Sequence, residues 1–305
     1  MPATHDHTPL VSILMTSYNR EKYIVAAIES VLALHHANFE LIIVDDGSTD
    51  RTVEIARQYV AQDSRVQLHI NEQNLGDYPN RNNAASYASG KYLKYLDSDD
   101  IIYPYSLNIM VDAMEAFPGA ALGLSSHSIQ GEAAAFPLVY QPKAAYYQHF
   151  FKGGLLFSGP SGCIIRSDAF RDLGGFSGKR YISDTELWLL LAQDRPVLLL
   201  PPALIWWRRH DMQEFNLGHI NEEYVMLNYE MNKRFLVTSC CPLEESDRLT
   251  AIRNYKNRFG RKVWIKLIRG RFNRAKRMKE DSGITVSEIV RSLFPVNKIN
   301  KLVGR

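Results

Sequence analysis

Apolar positions in the first 120 residues alternate between two spacings. Short, mostly apolar runs, typical of buried strands, occupy residues 11–15, 41–44, 66–70 and 92–96. Each run is followed by apolar residues three or four positions apart, which is the spacing of a helix with one buried face. Four strand-helix units in succession predict an α/β fold with a mostly parallel sheet flanked by helices.

Polar clusters directly follow three of these runs, at residues 16–19, 45–50 and 97–100. Because ligands of such sheets bind beyond the carboxyl ends of the strands, we expect the clusters to share one rim. The chain has neither a G-x-G-x-x-G pattern after the first run nor a G-x-x-x-x-G-K-[ST] loop, so a glycine-rich phosphate loop is not expected.

Asp97, Asp99 and Asp100 form the acidic cluster at the end of the fourth run. Their carboxylates are the hard oxygen ligands that Mg²⁺ and Mn²⁺ prefer, and such a cation could hold a diphosphate. The alternative is an acidic cap on the helix predicted to begin near residue 103. A second acidic strand end, at 45–50, favours the metal site because one cap does not explain two clusters.

Six segments follow one another along the chain: VSILMTSYN (11–19), LIIVDDGSTD (41–50), NLG (74–76) with RN (81–82), LDSDD (96–100), GPSGCIIRSDAFRDLGGF (159–176) and DTELW (184–188). Together they resemble the family-2 glycosyltransferases of GT-A fold, the inverting type found in bacterial cell-surface polysaccharide synthesis. The resemblance covers roughly residues 10–215. It implies a Rossmann-like catalytic domain at 1–215, with a nucleotide-sugar half at 10–118 and an acceptor half at 119–215, followed by a helical region at 216–305.

The resemblance also implies a donor site for a UDP- or dTDP-linked sugar. It places Thr16, Tyr18 and Asp46 around the base, where a carboxylate can accept the imide N–H of a pyrimidine beside an aromatic ring. Arg81 corresponds to a donor-contacting arginine, with a surface ion pair as the alternative. Asp97 and Ser98 are assigned to the donor.

The same resemblance assigns the metal and the base. Asp99 of the DxD motif is the expected ligand of Mn²⁺ or Mg²⁺, and His210 of the WWRRH segment is a second candidate ligand or else structural. Asp184 is the expected general base, although the family's acidic pair is here Ser183-Asp184. The alternatives are a favourable acid in a first helical turn and Glu186 as base.

Residues 125–160 are rich in aromatic side chains, which either contact the acceptor sugar or close the core of the second half. Three cysteines, two of them adjacent, fit a reducing compartment and no structural zinc. The first ten residues lack the pattern of a secretory signal and no apolar run reaches about 18 residues, so we expect a cytoplasmic location.

Charge is distributed unevenly along the chain. Residues 253–305 carry 16 Lys/Arg against 3 Asp/Glu, which leaves 20 basic and 30 acidic residues before them. Between 253 and 279 there are 12 basic residues and no acid, and six apolar residues are predicted to share one helical face: Phe259, Val263, Trp264, Leu267, Ile268 and Phe272. This pattern favours an anionic membrane surface at the inner face of the cytoplasmic membrane, over packing or a homodimer, and over nucleic acid, for which no recognition motif is present.

The expected activity is therefore metal-dependent, inverting transfer of a sugar to a hydroxyl of a glycan acceptor that is lipid-linked. One alternative is a non-catalytic sugar-nucleotide-binding scaffold, favoured if Asp184 and Glu186 lie far from the donor site. The other is a nucleotidyltransferase, which normally has a glycine-rich loop where this chain has TSYNR.

Overall fold

The chain divides into two compact units, Met1–Asp211 and Met212–Arg305. The computed structural model describes residues 8–125, 135–209 and 222–294. Ten strands and seven α-helices are described in the first unit, together with a π-helix at Gln148–Gly153 and a 3₁₀ turn at Pro160–Gly162, and four α-helices are described in the second. Among the described residues, no helix combines the length and the apolar character needed to cross a membrane.

The first unit is an α/β domain around one large sheet. The strands are β1 Val11–Ser17, β2 Phe39–Asp45, β3 Val66–Ile70, β4 Tyr92–Tyr95, β5 Ile101–Ile102, β6 Leu122–Ser125, β7 Leu138–Tyr140, β8 Cys163–Arg166, β9 Val197–Leu200 and β10 Ile205–Trp206. The α-helices are α1 Ile24–Leu32, α2 Thr52–Gln62, α3 Asp77–Ser86, α4 Ser106–Ala116, α5 Pro142–Tyr147, α6 Ser167–Asp172 and α7 Ser183–Leu191.

Eight strands form the sheet in the order β3-β2-β1-β4-β8-β6-β9-β7, and β10 pairs with β5 in a separate ribbon. The first four strands of this order are parallel, and four of the seven pairings described within this sheet are parallel. Antiparallel pairing enters at β8 and β7. The predicted α/β fold and its four strand-helix units are confirmed.

The runs at 11–15 and 41–44 are almost entirely apolar because the central strands are covered on both faces. Every residue of β2 except Glu40 is buried, and β1 is buried except for Thr16. On one face, Ile24 and Ile28 of α1 and Met110 of α4 join the strand side chains in a single core cluster. Since β1 and β2 are in parallel register, with Ser17 opposite Asp45, their polar ends lie side by side.

The second unit contains α8 Glu222–Val237, α9 Glu245–Ile268, α10 Phe272–Ser282 and α11 Val286–Arg291. Helix α9 contacts each of the other three. The Tyr229 ring of α8 stacks on Phe259 of α9, with ring centroids 4.3 Å apart, and Lys256 pairs with Glu288 at 2.7 Å. These contacts build a small helical core.

The prediction of one continuous apolar face across residues 253–279 is wrong. The segment is two helices, and it turns at Gly270, whose φ of +69° is the left-handed conformation that glycine adopts without a steric penalty. Phe259 and Val263 are buried within the chain, whereas Ile268 and Phe272 are exposed. The apolar residues therefore divide between internal packing and solvent.

Candidate functional site

The loop after β1 is held against the loop after β2 by side-chain hydrogen bonds. Asp45 accepts from the Ser17 hydroxyl at 2.9 Å and from the Ser48 backbone N–H at 2.7 Å. Asn19 has a left-handed φ of 53°, and its side-chain oxygen accepts from the Thr49 N–H at 2.8 Å. The first two polar clusters thus form one structured rim, as the sequence predicts. Thr16 is half-buried there and Tyr18 is 46% exposed.

Asp46 organises the neighbouring loop, a structural task that sequence reasoning missed. Its carboxylate accepts from the Asn71 side-chain amide at 2.7 Å, from the Leu75 N–H at 2.8 Å and from the Gly76 N–H at 2.9 Å. A carboxylate has about four acceptor positions, so one is left after these three bonds. The NLG segment quoted above is the signal that could have revealed this role, because its backbone is what Asp46 binds.

Asp97, Asp99 and Asp100 come together after β4. One carboxylate oxygen from each lies within 4.8 Å of the others. Ser98 between them is buried. Burial, followed by the charges of Asp97 and Asp99, raises the pKa of Asp100 to about 7. Its Oδ2 atom is buried with no hydrogen-bond partner among the described residues.

This cluster fits a divalent cation. Three converging carboxylates repel one another when ionised, and a cation of hard oxygen preference would relieve that repulsion. Asp97, Asp99 and Asp100 are the residues that could hold it. The alternative interpretation as a helix cap is not what the structure displays, because α4 begins at Ser106 with no side-chain cap.

Arg81 joins the cluster to α3. The side chain is only 7% exposed, so the alternative of a surface ion pair is wrong. Its Nε donates to Asp77 at 2.8 Å, and its Nη2 lies 2.7 Å from the Asp97 carboxylate. These carboxylates hold the pKa of Arg81 above its ordinary value against the opposing effect of burial. The buried Nη1 has no hydrogen-bond partner within the described part of the chain, so a donor group is left for a ligand.

Two further arginines contact the cluster, and sequence reasoning missed both. The Arg20 Nε lies 3.1 Å from Asp99 Oδ2, and its Nη1 donates to the Tyr18 carbonyl at 3.1 Å. Arg208, just after β10, donates from Nε to the Asp99 carbonyl at 2.8 Å and from its backbone N–H to Asp100 at 3.1 Å. The sequence could have indicated both contacts, because each arginine lies in a segment already singled out: Arg20 in TSYNR and Arg208 in WWRRH.

Lys94 is fully buried beneath the cluster on β4. Its ammonium donates to the carbonyls of Tyr95 and Ser161, and burial lowers its pKa to about 8. Ser161, in the GPSG segment, also accepts the Asp97 backbone N–H at 2.9 Å. The second half of the domain therefore supports the acidic loop of the first half through Ser161.

Asp184 lies in the first turn of α7, near Asp77, Tyr78 and Arg81 of α3. Burial raises its pKa to about 6, and Asp77 adds to this effect. The Thr185 N–H, at 2.6 Å, and the Tyr78 hydroxyl donate to its carboxylate and oppose the rise. Arg81 also acts on the pKa of Asp184. The carboxylate is thus electrostatically coupled to the side chain that contacts Asp97.

Glu186 has a different environment. It is buried, it accepts a hydrogen bond from the Ser177 hydroxyl, and it pairs with the Lys179 ammonium at 3.0 Å. A carboxylate that is already neutralised and hydrogen-bonded is poorly placed to accept a proton from a substrate. Of the two candidate bases, the geometry favours Asp184.

His210 lies outside the described residues. The segment leading to it is described: β10 pairs antiparallel with β5, with Ile205 opposite Ile102, and Arg208 contacts Asp99 and Asp100. In the aromatic segment, Tyr146 and Phe150 are buried in the core, whereas Tyr147 and Phe157 are 38% and 47% exposed. Residues 126–134 of that segment are also outside the described part.

Two curated proteins show the sequence similarity. EpsE of Bacillus subtilis (strain 168), assigned as a glycosyltransferase, is 32% identical over 195 residues, which are 59% of this chain and 66% of EpsE. WfgD of Escherichia coli, a UDP-Glc:alpha-D-GlcNAc-diphosphoundecaprenol beta-1,3-glucosyltransferase, is 44% identical over 105 residues, which are 34% of this chain and 41% of WfgD. The chain thus spans less than two thirds of the length of either relative.

Solved structures share the fold. TarS of S. aureus, residues 1–349 in complex with UDP-GlcNAc, superposes with a TM-score of 0.63 over 82% of this chain and 72% of that one, at 19% identity. The mannosyltransferase PcManGT of Pyrobaculum calidifontis, in complex with GDP-Man and Mn²⁺, gives a TM-score of 0.59 over 95% and 88%, at 12% identity. At these identities the likeness concerns the GT-A fold alone.

A sequence model of one enzyme family matches residues 12–174, from β1 past the end of α6. The match includes all three polar strand ends and more than half of the chain, while Asp184 lies just beyond it. The chain belongs to glycosyl transferase family 2.

Proposed function

We propose that the protein is an inverting, metal-dependent glycosyltransferase that moves a sugar from a UDP- or dTDP-sugar to a hydroxyl of a lipid-linked glycan. The pathway would be synthesis of a surface polysaccharide such as O-antigen, capsule or lipopolysaccharide. One observation carries the proposal: the carboxylates of Asp97, Asp99 and Asp100 converge within 4.8 Å, and Arg81 lies 2.7 Å from Asp97 with its buried Nη1 donor unused among the described residues. A cation held by the carboxylates and a diphosphate bound by Arg81 would then lie side by side.

For the donor, we propose that Thr16 and Tyr18 contact the base together with the remaining acceptor position of Asp46. The exposed Tyr18 ring is available for stacking. Arg81, with its spare buried Nη1 donor, would bind the diphosphate or a base carbonyl. The choice of UDP or dTDP is supported by the donor in the name of WfgD and by the UDP-GlcNAc bound to TarS.

For the cation, Asp99 would be the direct ligand of Mn²⁺ or Mg²⁺. Asp97 and Ser98 would contact the donor, and Asp100 is a further carboxylate available to the metal. When bound, the cation offsets the negative charge on the departing nucleoside diphosphate. The Mn²⁺ in the PcManGT complex supports a cation in this fold. His210 stays a candidate ligand.

For the base, Asp184 would accept the proton of the acceptor hydroxyl as its oxygen bonds to the anomeric carbon. The bond from that carbon to the diphosphate oxygen breaks on the opposite face, so the configuration inverts. A pKa of about 6 leaves Asp184 mostly ionised at neutral pH and still basic enough to accept a proton. The Tyr78 hydroxyl that bonds to Asp184 belongs to α3, the helix that carries Arg81. This speaks against the non-catalytic scaffold, which called for Asp184 and Glu186 both to be remote from the donor site.

For the acceptor, the exposed Tyr147 and Phe157 offer aromatic faces to a sugar ring. The diphosphoundecaprenol in the name of WfgD supports a lipid-linked acceptor. Such an acceptor would place the protein at the inner face of the cytoplasmic membrane, without nucleic acid as a partner. A homodimer is a further alternative for the second unit. The nucleotidyltransferase alternative is disfavoured because the loop after β1 is TSYNR rather than glycine-rich.

The decisive experiment measures thermal stabilisation by UDP, dTDP, GDP, ADP and CDP, each with and without Mn²⁺. A ligand that binds only the folded state raises stability by about 2.7 kcal/mol at 100 times its Kd. We expect a Mn²⁺-dependent shift with UDP or dTDP, lost in Asp99→Ala and kept in Asp112→Ala, an exposed acid of α4. No shift with any nucleotide would overturn the proposal, and a shift indifferent to Mn²⁺ and to Asp99 would overturn its metal dependence.

A further inference from the structure

Large apolar side chains are exposed at the corner where α9 ends and α10 begins. Ile268 is 67% exposed, Phe272 is 65% exposed and Trp264 is 36% exposed. Trp264 and Ile268 are four residues apart on α9, so they lie on the same face of that helix. Side chains of this size rarely remain in water in neighbouring positions without a partner.

The helix that carries this corner already has a buried face. Phe259 stacks on Tyr229, and Val263 and Tyr255 are buried with it. Trp264 and Ile268 follow Val263 by one and five positions, which points them away from that core at about 100° per residue. Burial within the described part of the unit therefore accounts for the first apolar set and not for the second.

Exposed cations surround the corner. Arg261 is three residues before Trp264 on the same face of α9, and Arg269 and Arg271 flank Gly270 at the turn. Between positions 248 and 279 the sequence contains no Asp or Glu. We name Trp264, Ile268 and Phe272, together with Arg261, Arg269 and Arg271, the corner patch.

We propose that the corner patch docks on an anionic lipid bilayer. Apolar side chains flanked by arginines match the boundary between acyl chains and acidic headgroups. There the apolar side chains are buried among the acyl chains, and the arginines stay with the headgroup phosphates. The docking segment is therefore the end of α9 from Arg261, the turn at Gly270 and Phe272, rather than the whole length of 253–279.

Other occupants fit the corner patch less well. A second copy docking through a twofold axis would bring Arg261, Arg269 and Arg271 against their own counterparts, with no acid of the segment to neutralise them. A nucleic acid would neutralise the arginines but would leave Ile268 and Phe272 in water. A bilayer satisfies both groups at once.

This inference deepens the proposed lipid-linked acceptor by naming the surface that reaches the lipid. Its test needs neither donor nor acceptor. Sedimentation of the full chain with phosphatidylglycerol vesicles and with phosphatidylcholine vesicles measures the partition coefficient directly. Nucleotide-induced thermal stabilisation of the same samples reports the donor site separately, so failure of either proposal is distinguishable.

We expect at least tenfold stronger partitioning to phosphatidylglycerol than to phosphatidylcholine, weakened by added salt. The pair Ile268→Ser with Phe272→Ser should lower partitioning at least tenfold. The pair Arg269→Gln with Arg271→Gln should bring it close to the phosphatidylcholine level. Leu249→Ser with Val286→Ser, which changes two 61% exposed residues elsewhere on the unit, is the matched control and should stay within twofold of the wild type.

Three results would overturn the inference. The first is no binding to phosphatidylglycerol vesicles by a chain that is folded in thermal melts. The second is equal loss of binding in the control pair and the corner-patch pairs. The third is a dimer, detected by sedimentation velocity, that Ile268→Ser with Phe272→Ser converts to a monomer, since a second copy would then occupy the patch.

Discussion

The Arg20 guanidinium lies 3.1 Å from the Asp99 carboxylate, which is the oxygen ligand we assign to the cation. Both side chains are shielded, with 23% and 12% exposure, so the pair is not a fully solvated surface contact. A cation that binds Asp99 must share or displace this guanidinium. Arg20 thereby links the loop that we propose to contact the base to the carboxylate that we propose as metal ligand.

Arg20→Ala should strengthen Mn²⁺ binding in the absence of nucleotide, because Asp99 loses its competing positive charge. A partly exposed ion pair is worth about 1 kcal/mol, so we expect an affinity gain of roughly fivefold. Electron paramagnetic resonance of free Mn²⁺ measures this directly. Arg51→Ala, which removes a 72% exposed arginine in the next loop, is the control and should leave the affinity unchanged. Weaker Mn²⁺ binding in Arg20→Ala would show that Arg20 supports the site rather than competing for it.

Asp184→Asn should lower turnover by about 10² to 10⁴ while leaving nucleotide binding intact, because the amide cannot accept the proton. Product formation with a UDP-sugar and thermal stabilisation by UDP measure the two effects separately. Asp172→Asn, at the end of α6, is a control acid. Glu186→Gln should instead lower stability, since it breaks the pair with Lys179. Full activity in Asp184→Asn would remove it from the mechanism.

The pH dependence of kcat/KM should follow ionisation of Asp184. Its pKa of about 6 predicts a rate that falls tenfold per pH unit below that value and levels above it. Tyr78→Phe removes a hydrogen bond that favours the ionised form, so the acidic limb should move to higher pH. If the acidic limb of the profile does not move in Tyr78→Phe, it reports the ionisation of a group other than Asp184.

The same group should make stability depend on pH. The folded-state pKa of about 6 lies above the ordinary 3.8, so the unfolded chain releases this proton first as pH rises. Asp184 therefore costs stability, progressively between pH 4 and 6 and by up to about 3 kcal/mol above that window. Thermal melts should show Asp184→Asn more stable than the wild type at pH 8 and no more stable at pH 4. An equal difference at both values would contradict the assignment.

Substitution of Tyr18 should affect UDP binding, whereas substitution of Asp46 should affect the stability of the fold. Tyr18→Ala should weaken UDP binding about tenfold by loss of stacking, with an unchanged melting temperature because the side chain is exposed. Asp46→Ala should cost at least about 2 kcal/mol of stability, because the Leu75 and Gly76 N–H groups lose their acceptor. Calorimetry with UDP and thermal melts on both variants test this. An unstable Tyr18→Ala or a fully stable Asp46→Ala would contradict the distinction.

The sequence by itself determined the α/β order and the rim. The mostly apolar runs are visible without a structure because β1, β2 and β4 are buried on both faces. Parallel strands bring Thr16, Asp46 and Asp99 to one edge. Only the tertiary structure decided what each side chain contacts. Arg20 contacts Asp99 across 79 positions, Asp46 binds a loop 25 to 30 residues away, and Lys179 pairs with Glu186.

The helical spacing in 253–279 was equally visible in the sequence. Which of its apolar residues are buried depended on where Gly270 turns the chain and on the packing of Tyr229 against Phe259. Such contacts depend on loop paths and on packing between distant segments, and local spacing carries no record of either.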